Sequence, residues 1–280
     1  MLTDDGVVLS VQTAGQGPAV LLGNGIGVTA PGLDYIAFHL LDRYRVIGWD
    51  YRGIGGSKMQ GGQGDVIVRR HAADAFAVLD SIGVSRVAML GWSMGVPVGL
   101  EMIRAAPERV VGFGALFGAP GQPFRAAFPR PVSDLVHLVV WGSTLAPLPA
   151  RALLRLGAAV PPIAWEICAG IGFVGRHARP EIFHADVRST ASAQKSHYFR
   201  TMWDLVRHDA RDVLPTIRCP SLVVCGGRDW VTPPDAAREM AMMIPGAHLV
   251  EIPDATHFGI IECGPELWDP IDELLGRAFG

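Results

Sequence analysis

Short, nearly continuous apolar runs recur along this chain, and turn residues separate them. From the amino terminus they are AVLLG (19–23), YRVIGWD (44–50), RVAMLGW (86–92), VVGFGALFG (110–118), SLVVCGG (221–227) and HLVEIP (248–253). Runs of this length and β-branched content are typical of strands that are buried on both faces of a parallel sheet. The pattern therefore predicts six core strands over these ranges.

Amphipathic segments with helical periodicity lie between the runs. In the segment that begins at Asp65, apolar side chains recur on one face, with Asp65 as the predicted N-cap and Gly83 as the end of the helix. Further helices are predicted over residues 94–106, 234–243 and 265–279. Strands that alternate with helices indicate an α/β fold with a mostly parallel, doubly wound sheet and right-handed crossovers.

The alternation stops between residues 121 and 214. This stretch is rich in Ala, Leu, Pro and Arg, and it contains short helical patterns such as ARALLRLGAAV and HYFRTMWDLVRH. Long insertions commonly line functional sites, so we interpret it as a helical cap on a core domain of residues 1–120 and 215–280. The alternative is a helical subdomain that only pads the fold.

Composition narrows the classes of function. The 280 residues are 49% hydrophobic and 18% charged with a net charge of -3, which gives no basic field for nucleic acid or an anionic membrane. Acids near the start replace the positive charge of a secretory signal, and the uncharged runs are broken by glycine and proline. We therefore expect a cytoplasmic protein without a transmembrane helix. The four cysteines lack C-x-x-C spacing and the nine histidines form no H-E-x-x-H pair, so reduced cysteines and no metal are expected.

One serine stands out at the junction of a predicted strand and a predicted helix. Ser93 lies in GWSMG, which matches the G-x-S-x-G turn that raises a nucleophilic hydroxyl above a sheet. Gly91 and Gly95 allow neighbouring backbone to approach where a Cβ would clash. The strand, the turn and the helix follow in the required order, so we predict Ser93 as a nucleophile.

A serine hydroxyl needs a base, and the base needs a group that orients it. Both are expected in loops at the carboxyl ends of later strands, in the order serine, acid, histidine. Asp229 follows SLVVCGG and His257 follows HLVEIP, so we predict them as acid and base. Two alternatives stay open here: Asp229 as the N-cap of the helix that opens near Pro234, a role that Thr232 could fill instead, and Asp254 as the acid.

An oxyanion hole and a pocket complete the predicted site. The backbone N–H of Met94 directly follows the nucleophile, and the N–H of Ile26 lies in the loop after the first core strand, so we predict these two donors. Trp92 and Asn24 are predicted to line a substrate pocket, and the aromatic helix HYFRTMWDL is predicted to contribute to it.

The segments GNGIG, DYRGIGGS, GWSMG, GGRDWVTP and DATHFG, in this order and spacing, resemble the α/β-hydrolase superfamily. The resemblance covers nearly the whole chain except the cap and implies the α/β-hydrolase fold with a serine esterase-like triad. Asn24-Gly25 replaces the usual His-Gly of the oxyanion loop, and Val96 occupies the position of a common second glycine. The NGIG loop is similar to that of intracellular polyhydroxyalkanoate depolymerases. Ser93 as nucleophile argues against haloalkane dehalogenases and epoxide hydrolases, which use aspartate.

These observations predict a serine hydrolase that cleaves a carboxylic ester, lactone or thioester of a small hydrophobic molecule through an acyl-enzyme, without cofactor or metal. We expect this small molecule as the binding partner and a monomer or homodimer. Two alternatives on the same fold are a polyhydroxyalkanoate depolymerase-like hydrolase and a non-catalytic ligand-binding protein. A dinucleotide site with Asp50 as the ribose ligand is disfavoured, because Val28 occupies the third glycine position of that motif.

Overall fold

A seven-stranded sheet forms the centre of the computed structural model, which describes residues 1–29, 33–59, 64–192 and 197–280. The strands are β1 (Val11–Ala14), β2 (Ala19–Gly23), β3 (Arg45–Trp49), β4 (Val87–Trp92), β5 (Val110–Leu116), β6 (Ser221–Gly226) and β7 (His248–Ile252). Their order is β1-β3-β2-β4-β5-β6-β7, with β1 antiparallel to β3 and the other neighbours parallel. The six predicted strands and the mostly parallel sheet are confirmed.

β1 is the strand that the apolar pattern did not predict. Its sequence is VQTA, and three of its four residues are exposed at the edge of the sheet. The register pairs Val11 with Trp49 and Ala14 with Val46. An edge strand with little buried surface leaves only a weak alternation in the sequence, so its position depends on backbone pairing with β3.

Helices cover both faces of the sheet. They are α1 (Asp34–Leu40), α2 (Val68–Ser81), α3 (Gly95–Ala105), α4 (Pro123–Ala127), α5 (Arg130–Leu145), α6 (Pro147–Ala159), α7 (Pro161–Gly170), α8 (Pro180–Ser192), α9 (His197–Leu205), α10 (Pro234–Met243), α11 (Gly259–Glu262) and α12 (Pro265–Phe279). The apolar sides of α2, α3 and α10 share one core cluster with the sheet, and those of α1, α11 and α12 share the other. This doubly wound arrangement explains why the strand sequences are apolar without alternation.

The start of α2 differs from the sequence prediction. The N-cap position is Ile67, and the Val68 N–H donates a hydrogen bond to Asp204 Oδ2 at 2.8 Å. Asp65 as N-cap is therefore wrong. The acceptor comes from α9, so a local sequence pattern could not indicate it.

Helices α4 to α9 lie between β5 and β6 in the chain, in the segment that the sequence predicts as a cap, and we use the name cap for these helices. The chain enters and leaves this segment at a narrow neck. At the neck, Gly121 pairs with Asp209 in an antiparallel bridge. The Gln122 N–H donates to the His208 carbonyl at 2.9 Å, and the Ala210 N–H donates to the Pro120 carbonyl at 3.0 Å. The outgoing and returning segments of the chain therefore lie side by side.

The predicted cap boundary at Leu214 lies a few residues beyond this neck. Val213 and Leu214 are already buried in the core cluster beside α3 and α10, within a short 3-10 helix (Arg211–Thr216). The helix patterns at ARALLRLGAAV and HYFRTMWDLVRH correspond to α6 and α9.

The outer surface of the cap is strongly apolar. Large hydrophobic side chains of α5, α6 and α7 are exposed there, among them Leu135, Leu138, Leu145, Leu148, Leu153, Ile163 and Ile167. Across the described ranges, no individual helix combines the length and hydropathy that a membrane crossing requires. Taken together, α6 and α7 have the length and apolar composition of a membrane-crossing helix, but the pair is bent by 105°.

Candidate active site

Ser93 sits on a strained turn between β4 and α3. Its φ of +53° lies in the left-handed region, which costs a non-glycine residue about 1–3 kcal/mol. A Cβ on Gly95 would lie 2.3 Å from the Gly23 carbonyl oxygen, and a Cβ on Gly91 would lie 2.3 Å from the Gly95 carbonyl oxygen. Both flanking glycines are therefore required by close backbone packing. The Ser93 N–H donates to the Leu116 carbonyl at 3.1 Å, which holds the turn on the neighbouring strand β5.

A continuous chain of hydrogen-bonding groups runs from Ser93 into the protein. Ser93 Oγ lies 3.0 Å from His257 Nε2, and His257 Nδ1 lies 2.9 Å from Asp229 Oδ2. The histidine follows β7 and the aspartate follows β6, so both loops lie at the carboxyl edge of the sheet where β4 also ends. His257 and Asp229 are buried, with exposed fractions of 6% and 2%. The structure thus brings together the three residues that the sequence predicted as nucleophile, base and acid.

The Asp229 carboxylate is held from both sides. Its Oδ1 accepts the backbone N–H groups of Val231 and Thr232 at 2.8 and 2.9 Å, and its Oδ2 accepts the Thr232 hydroxyl at 2.7 Å. The N-cap position of α10 is Pro233, with no side-chain cap, so neither Asp229 nor Thr232 caps that helix. Asp254 is exposed to solvent. The N-cap role of Asp229 is therefore excluded, and Asp229, rather than Asp254, is the residue whose carboxylate contacts His257.

The two predicted oxyanion donors face no competing backbone acceptor. Within the ranges that the structure describes, neither the Met94 N–H nor the Ile26 N–H donates to a protein atom. The loop that carries Ile26 is fixed by the Tyr51 hydroxyl, which donates to the Asn24 carbonyl at 3.0 Å. It is also held by the Ser189 hydroxyl of the cap, which donates to the Gly27 carbonyl at 2.9 Å. This backbone is therefore positioned by contacts from both the core and the cap.

A cavity of about 450 Å³ lies between the core and the cap and includes Ser93 and His257 in its wall. Trp92 lines it as predicted from the sequence, and its Nε1 donates to the His257 carbonyl at 3.0 Å. The predicted aromatic helix contributes one face of α9 to the cavity, with Tyr198, Met202 and Leu205. Their spacing of four and then three residues is that of a single helix face.

Asn24 does not line this cavity. Its side chain is buried and faces a separate depression beside Leu33. Among the described residues, neither atom of its amide has a hydrogen-bond partner. A sequence cannot tell to which side a loop residue points, and here the next two residues, Gly25 and Ile26, line the cavity instead.

Several cavity residues were not predicted from the sequence. Five of them are aromatic, and the rings of Phe173 and Phe258 lie beside the His257 ring, with centroid distances of 6.3 and 6.2 Å. The five are Phe124, Phe173, Phe183, Trp230 and Phe258. Trp230 directly follows the predicted acid, which was a usable signal, whereas the others come from scattered parts of the chain. The cavity also contains one acid, Asp186 of α8.

Across the described ranges, no group of three His, Cys, Asp or Glu side chains is arranged to hold a metal ion. All four cysteines are free. Asp50, the ribose ligand of the dinucleotide alternative, is buried, and its Oδ2 accepts the Gly56 N–H at 2.9 Å.

Comparisons with known proteins agree with the observed fold. The model of a family described as "Alpha/beta hydrolase family" matches residues 19–269. The chain is 28% identical to the polyketide synthase ThaQ of Burkholderia thailandensis over 98% of its own length, but it spans only 13% of that synthase. It is 26% identical to the pimeloyl-[acyl-carrier protein] methyl ester esterase of Chromobacterium violaceum, with 89% of this chain and 91% of the esterase aligned. A thermophilic esterase from Thermogutta terrifontis superposes with a TM-score of 0.79 and 24% identity, covering 99% of this chain and 96% of the esterase.

Proposed function

Because the chain belongs to the alpha/beta hydrolase family, we propose that it is a serine hydrolase that cleaves carboxylic esters of small, mainly apolar molecules through an acyl-enzyme. The observation that carries the proposal is the hydrogen-bonded series Asp229, His257 and Ser93, which ends in the wall of an apolar cavity. A ligand-binding protein without catalysis would have no need for this complete series or for the strained serine.

The proposed reaction begins with the Ser93 hydroxyl. Its oxygen attacks the ester carbonyl while His257 Nε2 accepts the proton, and Asp229 stabilises the resulting imidazolium. The N–H groups of Met94 and Ile26 donate to the tetrahedral oxyanion, since they have no other acceptor among the described residues. The imidazolium then protonates the departing alcohol. A water molecule, deprotonated by the same histidine, hydrolyses the acyl-enzyme and restores Ser93.

The size and lining of the cavity support a small, apolar substrate. A volume of about 450 Å³ lies within the range of small-molecule pockets, and the aromatic side chains supply apolar surface. The names of two similar proteins, a methyl ester esterase and a thermophilic esterase, support an ester as the substrate. A lactone or a thioester presents the same carbonyl chemistry to Ser93 and belongs to the same proposal.

Labelling with a fluorophosphonate probe tests the nucleophile directly. We expect wild-type protein to hydrolyse p-nitrophenyl esters and to react covalently with the probe, and Ser93→Ala to do neither while keeping its circular dichroism spectrum. Ser143→Ala is the matched control, because that serine is half-buried on α5, donates to the Val139 carbonyl of its own helix and does not line the cavity. Hydrolysis or labelling that persists in Ser93→Ala would overturn the proposal.

A further inference from the structure

A single acidic side chain lies in the wall of the cavity that contains Ser93. Asp186 belongs to α8 of the cap and is 4% exposed. Its neighbours in the wall on the same helix include the apolar residues Phe183 and Val187. The proposed catalytic steps make no use of this carboxylate, so its presence calls for another explanation.

No described residue compensates the burial of Asp186. Across the described parts of the chain, its carboxylate takes part in no hydrogen bond or ion pair, and its Oδ2 is sealed from solvent. By contrast, the buried Asp229 accepts hydrogen bonds from two backbone N–H groups and one hydroxyl. Burial raises the pKa of Asp186 to about 7, and no charged group among the described residues contributes to this change.

An unpaired buried carboxylate destabilises a fold unless a donor reaches it. The position of Asp186 in the cavity means that a bound molecule can bring such a donor. Leucine or methionine would fill the same space on this helix without any cost of desolvation, so packing does not explain an acid here.

We propose that Asp186 recognises a hydroxyl or ammonium group on the substrate, so that the preferred ester is apolar along most of its length but carries one hydrogen-bond donor away from the ester carbonyl. The inference rests on the proposed function only in taking the bound molecule to be an ester. The cavity and the unpaired carboxylate exist whether or not Ser93 is a nucleophile.

Binding of three matched probes to the Ser93→Ala protein tests the proposal without catalysis. The probes are n-hexylamine, 1-hexanol and 1-methoxypentane, which have equal numbers of heavy atoms but differ in that the ether has no donor. Affinities are measured by isothermal titration calorimetry at pH 8, where the amine is charged and most of Asp186 is ionised. We expect the amine or the alcohol to bind about tenfold or more tightly than the ether.

Variants of Asp186 in the same background separate recognition from packing. Asp186→Leu should bind the ether at least as well as the parent and lose the preference for the donor probes. Asp186→Asn, which keeps the shape, should lose the preference for the amine and retain part of that for the alcohol. Melting curves of all three proteins establish that the variants are folded.

The pattern of affinities decides the outcome. A preference for the amine identifies an ion pair and a preference for the alcohol identifies a neutral hydrogen bond, and either supports the proposal if Asp186→Leu removes it. Equal binding of the three probes, or a preference that persists in Asp186→Leu, would overturn it. Neither result depends on ester hydrolysis, and labelling of Ser93 does not require Asp186, so failure of one proposal is distinguishable from failure of the other.

Discussion

Replacing Asp229 by asparagine tests the proposed acid with almost no change in shape. In the native protein, Oδ1 accepts the N–H groups of Val231 and Thr232, and Oδ2 lies 2.9 Å from His257 Nδ1. The two N–H donors require an oxygen at the Oδ1 position, so the asparagine NH₂ group must occupy the Oδ2 position. It then donates to His257 Nδ1, which has to become an acceptor, and the imidazole carries its proton on Nε2.

An imidazole protonated on Nε2 has no lone pair to accept the proton of Ser93, which lies 3.0 Å away. In serine–histidine–aspartate triads the wrong tautomer lowers kcat by a factor of about 10⁴. At about 1.4 kcal/mol per factor of ten, the loss amounts to about 5 kcal/mol of transition-state stabilisation. We expect a loss of this size for Asp229→Asn.

The assay is the initial rate of p-nitrophenyl ester hydrolysis, normalised to folded protein by near-ultraviolet circular dichroism. Asp254→Asn is the matched control, because Asp254 lies in the same loop as His257 but is exposed to solvent. It should change kcat by less than about threefold, the effect of one exposed charge. Equal losses in the two variants, or a larger loss at Asp254, would refute the assignment of Asp229.

Three further predictions concern the turn, the cavity and the cap. A Cβ at Gly95 has no room beside the Gly23 carbonyl oxygen, so Gly95→Ala should lower the free energy of unfolding by about 2 kcal/mol or more, measured by urea denaturation. At Gly142 on α5, no described atom lies within 4 Å of an added methyl group, so Gly142→Ala should raise the free energy of unfolding by about 1 kcal/mol. Equal changes in the two variants would contradict close packing at Gly95. Each acyl methylene that is buried in the cavity contributes about 0.8 kcal/mol to transition-state binding, so kcat/KM should rise several-fold per two carbons until the cavity is full. A kcat/KM that stays constant as the acyl chain is lengthened from acetate would argue against an apolar acyl pocket. Because burial raises the pKa of Asp186 from 3.8 to about 7, the folded protein binds this proton more tightly than the unfolded chain. The carboxyl therefore destabilises the fold increasingly from about pH 4 to about pH 7. The melting temperature of Asp186→Asn relative to wild type should rise across that window and level off above it, and a difference independent of pH would show that the carboxylate is not isolated.

The strands and the turn at Ser93 could be predicted because their causes are local. β2 to β6 are largely buried, so each appears as an apolar run, and the glycines around Ser93 mark the close approach of the backbone. β7 lies at the edge of the sheet and is only partly buried, but Leu249, Val250 and Ile252 still give it an apolar pattern. Knowing that parallel strands end at one edge of the sheet was then enough to select Asp229 and His257. The assignment of catalytic roles, the cytoplasmic location and the oligomeric state remain predictions.

Features that depend on distant contacts were beyond the sequence. The N–H of Val68, the first residue of α2, donates to the Asp204 carboxylate, and the sequence around Asp65 gives no indication of that contact. Asp186 appears in a helical segment, PEIFHADVRSTAS, whose mixed composition is typical of an exposed helix. Only the packing of the cap over the sheet turns its carboxylate into the cavity, and the orientation of Asn24 is set by tertiary packing in the same way.

The neck at Gly121 and Asp209 also makes the cap an exchangeable module. The chain leaves and re-enters the core at one antiparallel bridge, so a foreign segment of any length can be inserted between the same two points without altering the order of the strands. A chimaera of this core with the cap of a relative should keep the turn at Ser93 and the contact between Ser93 and His257. The transplanted helices would still need an acceptor for the Val68 N–H, and a hydroxyl for the Gly27 carbonyl, to replace the hydrogen bonds that this cap provides.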